Sequence, residues 1–261
     1  MRVLTAAVML VTMMGCNGGS EDDELRKDLK AANATIDSLM SRVEALELET
    51  RPLLDVVSVK GHDVTFSGVN VHIESGSGAT DDDGSLTGLG NLIVGYDEGS
   101  GFKKSGSHNL VLGIDNRYTS YAGIVSGNTN TVEAPFACAI AGLGNVVSGG
   151  GAASIGGFDN LVSGEGAASS GGEGGIASGS TAAIAGGTGN QATGEWAFMG
   201  GGAGGVAEGG WAVVLGGNRG VALRNWSVVL GGREGVAAAD YAVVAGGLSN
   251  TVTTEYGTSP Y

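Results

Sequence analysis

The pattern of apolar and polar positions repeats every fifteen residues over much of the chain. Seven consecutive segments begin with small or branched residues, continue with paired glycines and a polar turn, and close with a second short apolar segment. The glycines that mark these repeats are Gly156, Gly171, Gly186, Gly201, Gly216, Gly231 and Gly246, and less regular copies fall on Gly142, Gly127, Gly113 and Gly95. A fixed period this short is typical of a solenoid whose repeats pack on their neighbours, so eleven coils are predicted.

Each repeat has room for two short strands and two turns. Fifteen residues are too few for two helices, and the density of glycine disfavours helix. The polar turn closes on residues that tolerate positive φ, namely Asn160, Gly175, Asn190, Gly205, Gly220, Gly235 and Asn250. The first segment, such as Ala212–Leu215, is apolar at four consecutive positions, so both of its faces should be covered. The pattern predicts an all-β parallel solenoid, and copies of the chain are the simplest cover for its outward face.

Before the repeats, the apolar spacing changes to that of a helix. Apolar residues alternate spacings of three and four, which is a heptad pattern: Leu25, Leu29, Ala32, Ile36, Leu39, Val43 and Leu46. We expect a coiled-coil stalk over residues 25–51 that ends at Pro52, although an amphipathic helix packed on its own domain fits the same pattern. A β connector over residues 52–88 follows, with two short strands suggested by the alternation of Val64, Phe66, Val69, Val71 and Ile73.

The solenoid head is expected over residues 89–252, followed by a tail over residues 253–261. An insertion within residues 96–108 lengthens one coil to eighteen residues and is predicted to form a surface loop. Asp81, Asp82 and Asp83 lie in the connector, but their spacing does not match that of a calcium loop, so we expect a solvated acidic loop. His62 and His72 are expected to be plain surface residues, because no Cys or third His lies near them in sequence.

The first sixteen residues have the pattern of an export signal. A short cationic start is followed by an apolar run of about a dozen residues, which is too short to span a bilayer. The segment ending at Gly15–Cys16 resembles the lipobox of bacterial lipoproteins, although Met13 replaces the usual Leu. The resemblance implies a signal peptide over residues 1–15, lipidation of Cys16 and a flexible tether over residues 16–24. The resemblance also implies a location, because Asn17 rather than Asp follows the Cys, which in enteric lipoproteins favours the outer membrane. An ordinary signal peptide with an incidental Cys is the alternative.

The repeats over roughly residues 89–252 resemble the head domains of trimeric autotransporter adhesins (YadA-like heads). The shared feature is the order of small, apolar and glycine positions in many short copies. This resemblance implies a left-handed parallel β-roll with coils of 14–15 residues in a tight homotrimer. Those adhesins use a C-terminal transmembrane barrel and place the head before the stalk. Here the expected lipid and stalk come first, and the chain ends in TTEYGTSPY.

Composition and charge narrow the classes of partner. The net charge of −14 argues against a nucleic-acid partner and an anionic membrane surface. Expected partners are other copies of the chain, a membrane reached through the lipid, and a surface glycan or a ligand on a host or neighbouring cell. Cys138 is predicted to share the position of Ala152, Ala167 and Ala182, which would make it a structural core residue. No cofactor, metal site or catalytic residue is predicted.

Aromatic residues occupy one position in four successive repeats. Trp196, Trp211, Trp226 and Tyr241 directly precede the first strand of their coils. Since neighbouring coils lie about 4.8 Å apart, the rings are expected to stack. Such a ladder either binds glycan rings or rigidifies the solenoid and fills a seam between protomers. The acidic residues lie mostly one per coil rather than in converging pairs: Glu165, Glu173, Glu195, Glu208, Glu234 and Asp240.

The sequence favours a non-enzymatic cell-envelope lipoprotein that displays an adhesin-like or structural fibre. The expected location is the outer membrane, with the head on the cell surface or in the periplasm. The alternatives are a polysaccharide-acting enzyme on a β-solenoid and a periplasmic scaffold without a ligand.

Overall fold

The computed structural model describes residues 20–99, 101 and 103–259 of the chain, without the side chains of residues 20, 21 and 50–54. The predicted signal peptide and Cys16 lie outside the described residues. The chain divides into two compact units, residues 1–71 and His72–Tyr261. In the described residues one α-helix precedes a parallel β-solenoid, and a short 3-10 helix spans Asp82–Gly84. This mostly-β architecture confirms the predicted fold class.

The first unit contains the helix and a hairpin. Helix α1 spans Ser20–Leu54, 35 residues, and so continues past Pro52, where the sequence predicted its end. Strands β1 (Val57–Lys60) and β2 (Asp63–Phe66) pair antiparallel. The prediction of strands at Val69 and Val71 is wrong, because both residues lie outside any strand. The heptad positions of α1 are exposed in the single chain, for example Leu39 and Val43 at 51% and 52%.

The solenoid is built from two parallel sheets. The first sheet has twelve strands: β3 (Leu92–Val94), β4 (Leu110–Ile114), β6 (Ile124–Asn128), β8 (Cys138–Ile140), β10 (Ala153–Ile155), β12 (Ala168–Ser169), β14 (Ala183–Ile184), β16 (Phe198–Met199), β18 (Val213–Val214), β20 (Val228–Val229), β22 (Val243–Val244) and β24 (Thr258–Ser259). The second sheet has ten strands: β5 (Arg117–Tyr118), β7 (Thr131–Val132), β9 (Val146–Val147), β11 (Leu161–Val162), β13 (Ile176–Ala177), β15 (Gln191–Ala192), β17 (Val206–Ala207), β19 (Val221–Ala222), β21 (Val236–Ala237) and β23 (Thr251–Val252).

The strand register follows the sequence period. Val213 pairs with Val228, fifteen residues later, and Leu110 pairs with Ile124, fourteen residues later. Leu92 pairs with Leu110 across the predicted eighteen-residue coil. The first sheet continues past Val252 into β24, which pairs in register with β22. About eleven turns therefore stack along one axis, as the repeat count predicts.

The solenoid core is made of small side chains. In one coil Ala212, Val214 and Ala222 point inward and are at most 1% exposed, whereas Leu215 points outward and is 47% exposed. Ile184 and Met199 are the largest of the side chains that are under 2% exposed in the described part. The first strand is therefore covered on its inward face alone within a single chain, and the sequence prediction that both faces are covered requires a partner.

The prediction that the Gly or Asn closing each turn adopts positive φ is wrong. Positive φ falls one residue earlier, for example at Asp159 (φ 52°) and Arg219 (φ 56°). Asn160 points inward and is 1% exposed, and its Oδ1 accepts the Gly175 N–H at 2.8 Å. At Gly220 the space is limited, since a Cβ there would lie 2.9 Å from Val229 Cγ1.

The predicted position of Cys138 is also wrong by one residue. Cys138 pairs with Ala153, not with Ala152, and is half-buried on the outward face of the first sheet. Its inward neighbours Ala137 and Ala139 are both fully buried. Because side chains alternate between faces along a strand, a shift of one residue moves a side chain from the core to the surface.

The predicted insertion loop is tied to the second sheet. The Tyr118 hydroxyl donates to Asp97 Oδ2 at 2.9 Å, and Lys104 Nζ forms an ion pair with Asp97 Oδ1 at 2.9 Å. Burial, and then the hydrogen bond to Asp97, raise the pKa of Tyr118 well above its ordinary value. The Tyr118 side chain thus joins the extended coil to the core.

Candidate functional site

Four aromatic rings form a continuous stack along the C-terminal coils. The ring centroids of Trp211 and Trp226 are 4.9 Å apart, those of Trp226 and Tyr241 are 5.1 Å apart, and those of Tyr241 and Tyr256 are 4.8 Å apart. The interplanar angles are 2°, 2° and 9°. These separations match the spacing of neighbouring strands, about 4.8 Å. We call Trp196, Trp211, Trp226, Tyr241 and Tyr256 the aromatic ladder.

The stack is displaced by one coil from the predicted one. Trp196 forms no ring pair with Trp211 in the described part of the chain, and its Nε1 donates instead to Glu195 Oε1 at 3.1 Å. Tyr256 extends the stack at the other end and was not among the predicted ladder residues. Tyr256 lies fifteen residues after Tyr241, and this spacing was the signal that could have identified it.

The stack leaves ring edges accessible rather than ring faces. Trp226 and Tyr241 have a ring on each face and remain 43% and 37% exposed. Tyr256, at the end of the stack, is 69% exposed. A ligand that stacks on flat aromatic faces therefore finds no free face at Trp226 or Tyr241.

Every ladder residue has a left-handed backbone conformation. The φ values lie between 54° and 59° for Trp196, Trp211, Trp226, Tyr241 and Tyr256. The same position in two earlier coils holds Gly151 and Gly166, both with φ 63°. A residue with a Cβ costs about 1–2 kcal/mol in this conformation, and a bulky residue is uncommon there. The aromatic side chains therefore offset a backbone cost that glycine avoids.

An open polar groove of about 430 Å³ lies beside the ladder. Its lining contains none of the rings: Glu208, Gly209, Gly210, Leu223, Arg224, Asn225, Ala239 and Asp240. Two of its side chains tie successive coils, since Asn225 Oδ1 accepts the Gly210 N–H at 2.9 Å and Asp240 Oδ1 accepts the Asn225 N–H at 3.1 Å. The groove is a polar surface separate from the ladder.

Asp82 is the centre of a hydrogen-bond network at the N-terminal end of the solenoid. The prediction of a solvated acidic loop is wrong for this residue, which is 3% exposed. Asp82 Oδ2 accepts from Ser107 Oγ at 2.5 Å and from the N–H and Oγ1 of Thr87 at 2.7 and 2.8 Å. Asp82 Oδ1 accepts from the hydroxyls of Ser75 and Ser77. Five protein donors therefore surround one carboxylate.

This network holds the Asp82 carboxylate in its charged form. The hydrogen bonds from Ser107 and Ser75 lower the pKa of Asp82 far below its ordinary value, against a smaller opposing effect of burial. A second clamp lies beside it. His108 Nε2 accepts the Ser75 N–H at 3.1 Å, so His108 Nδ1 is the nitrogen that donates to Thr80 O, 2.8 Å away. These contacts bind the segment around residues 75–87 to the first coils.

Other polar residues do not converge on a metal site. The described residues contain no group of three or more His, Cys, Asp or Glu side chains arranged to hold a metal ion. His62 and His72 are exposed. Glu165, Glu173, Glu195, Glu208 and Asp240 are exposed and Glu234 is half-buried, where Glu234 lies within 3.8 Å of Arg219 and 3.5 Å of Arg233.

The outward face of the first sheet is a long apolar surface. Its positions alternate with the buried ones and carry no charged side chain: Ile124, Ser126, Cys138, Ile140, Ala153, Ile155, Ala168, Ser170, Ala183, Ala185, Phe198, Val213, Leu215, Val228, Leu230, Val243 and Ala245. We call this set the apolar face. The largest of its side chains are well exposed, for example Ile155 at 52% and Leu230 at 45%.

In comparisons with known proteins, no family model matches the chain and no curated protein matches it. Among the described residues, no helix combines the length and the apolar content that a membrane crossing requires.

Proposed function

We propose that the chain is a non-enzymatic cell-envelope lipoprotein whose solenoid head assembles into a homotrimer and serves as an adhesin-like or structural fibre. The lipid on Cys16 would anchor it to the outer membrane, and α1 would form the stalk. The observation that carries this proposal is the apolar face.

The apolar face is too extensive for a soluble monomer. At about 4.8 Å per strand, its coils extend over roughly 40–50 Å along the axis. Monomeric soluble proteins rarely expose contiguous apolar patches larger than a few hundred Å². The corresponding outward positions of the second sheet include charged and polar residues such as Arg117, Glu133 and Gln191. The asymmetry between the two sheets favours burial of the first sheet between copies.

A self-association role fits the remaining chemistry. An identical patch on each copy supports a closed symmetric assembly, and the resemblance to trimeric adhesin heads favours three copies over two. The exposed heptad seam of α1 provides a second self-association surface. The net charge of −14 gives the outer surface of such an assembly solubility.

The test is the mass of residues 50–261, which lack the lipid and most of α1. Light scattering should give three times the mass of one chain. Ile155→Glu places a charge on the apolar face at an already exposed position, so it should yield a folded monomer. Ser178→Glu, at an exposed outward position of the second sheet, is the matched control and should remain trimeric.

Cys138 gives an independent readout, because it is the one cysteine of this fragment and lies on the apolar face. Maleimide labelling should be slow in the wild-type fragment and fast in Ile155→Glu. A wild-type fragment that is a stable, soluble monomer contradicts the proposal.

A further inference from the structure

The aromatic ladder combines an unfavourable backbone with incomplete burial. All five residues have φ between 54° and 59°, and all are between 37% and 69% exposed in the single chain. Gly151 and Gly166 show that the same coil position folds without a side chain. Residues held in such a backbone conformation cluster at functional sites. The single chain leaves a large share of these side chains without a contact that would explain them.

The exposed part of the ladder is large enough to anchor an interface. Aromatic side chains bury about 150–250 Å² each, so the exposed fractions of the five rings amount to roughly 500 Å². The ladder borders the apolar face, since Trp226 is followed two residues later by the outward Val228 and then by Leu230. Together the two surfaces approach the roughly 800 Å² per partner that a stable protein interface buries.

The geometry of the ladder selects the kind of partner. The rings repeat at 4.8–5.1 Å along the axis. A partner that contacts each ring in turn must repeat at the same spacing, and a second copy of the solenoid does so because its coils have the same period. A polysaccharide fits less well, because Trp226 and Tyr241 offer it no free face and no ring lines the polar groove.

We propose that the aromatic ladder is the anchor of the interface between copies of this chain, with its exposed ring edges buried against the parallel solenoid of a neighbouring protomer. This inference rests on the proposed self-association and names the residues that dominate it. Trp and Tyr are enriched among the few side chains that carry most of the binding energy at protein interfaces. The two coils with Gly151 and Gly166 at the ladder position contribute residues of the apolar face alone.

Tryptophan fluorescence tests the proposal on the full chain carrying Cys16→Ser. The three tryptophans of the chain are Trp196, Trp211 and Trp226, so the signal comes from the ladder alone. The assembled wild-type chain should resist acrylamide quenching, and the same chain carrying Ile155→Glu should be quenched at least twofold more strongly. Equal quenching of the two proteins, with the wild-type chain assembled, overturns the proposal.

Glycine substitutions give the second test, because this backbone position accepts glycine. In the same full chain, Trp211→Gly with Trp226→Gly should raise the rate of Cys138 labelling at least tenfold, as expected from the loss of two anchoring side chains. Thr181 occupies the same position in a neighbouring coil and has φ 54°. Thr181→Gly removes no ring and should leave the rate of Cys138 labelling unchanged. Equal rates in the two variants overturn the proposal.

Binding to a neutral polysaccharide tests the alternative role of the ladder, which is to bind glycan rings. Retardation of the assembled wild-type chain in a gel containing hydroxyethylcellulose, abolished by the paired glycine substitutions, would show a ladder that is free on the assembled surface and would overturn the proposal. A wild-type chain that is monomeric refutes the proposed function instead. The two failures are therefore distinguishable.

Discussion

Replacement of Trp226 by glycine should destabilise the protein less than replacement by alanine, which is the reverse of the usual order. At an ordinary strand or helix position glycine is less favourable than alanine by roughly 0.5–1 kcal/mol. Trp226 has φ 54°, where a residue with a Cβ costs about 1–2 kcal/mol and glycine does not. The glycine variant should therefore be more stable than the alanine variant by about 1–2 kcal/mol.

Both variants should still be less stable than the wild type. Each loses two stacked pairs, with Trp211 at 4.9 Å and with Tyr241 at 5.1 Å. Aromatic pairs contribute about 0.5–1.5 kcal/mol each beyond area burial, so the stacking loss is roughly 1–3 kcal/mol. Trp226 also buries somewhat more than half of its surface, which adds about 3 kcal/mol at ~25 cal/mol per Å². We expect a loss of roughly 4–6 kcal/mol for alanine, and 1–2 kcal/mol less for glycine.

Gly151→Ala measures the backbone cost without a ring. Gly151 has φ 63° and open space around its Cβ position, so alanine there should cost about 1–2 kcal/mol from φ alone. The measurement is denaturant unfolding in the Ile155→Glu background, because association would add its own stability. An alanine variant at position 226 as stable as the glycine variant would refute the argument that strain is stored in the ladder.

Two further predictions concern Asp82 and Cys16. Asp82→Asn should lower the thermal midpoint more than Asp83→Asn, because an amide cannot accept from all five donors around Asp82. The pKa of Asp82 is lowered by folding, so its contribution is fully present above the unfolded value of about 4 and is lost as the pH falls below it. The difference in midpoint between wild type and Asp82→Asn should thus be constant from pH 8 to 5 and shrink in stronger acid. Cys16→Ser should abolish acyl labelling and release the protein from the membrane fraction, and unchanged membrane association would contradict lipidation.

The repeat period and the order of the strands could be predicted from the sequence because they depend on the backbone alone. Paired glycines every fifteen residues mark the end of each first strand, and the fifteen-residue register of Val213 with Val228 follows from that spacing. The face of the sheet on which a side chain lies was harder to predict. The fourteen-residue step from Gly142 to Gly156 aligns Cys138 with Ala152, whereas the fifteen-residue step from Ile140 to Ile155 aligns it with Ala153. The choice decides between core and surface.

The residues that the sequence analysis misplaced are those fixed by contacts between distant segments. Asp82 lies in an acidic run, and its burial depends on Ser107, twenty-five residues away. Asn160 resembles a turn residue, but its amide bridges to Gly175 in the next coil. The residue before it has positive φ in every coil from Asp159 onward, yet this position also holds Arg219 and Glu234, which give no sign of that conformation.

The small size of the core residues supports the proposed assembly. A coil with Ala212, Val214 and Ala222 inward removes few large apolar side chains from water, and much of the interior is backbone and glycine. The larger residues of the same coil, Trp211 and Leu215, point outward. Apolar burial is the dominant favourable term in folding, and its amount grows with the side-chain area removed from water. A solenoid with small residues inside and larger ones outside would gain further burial if a second copy covered the outer surface, as proposed above.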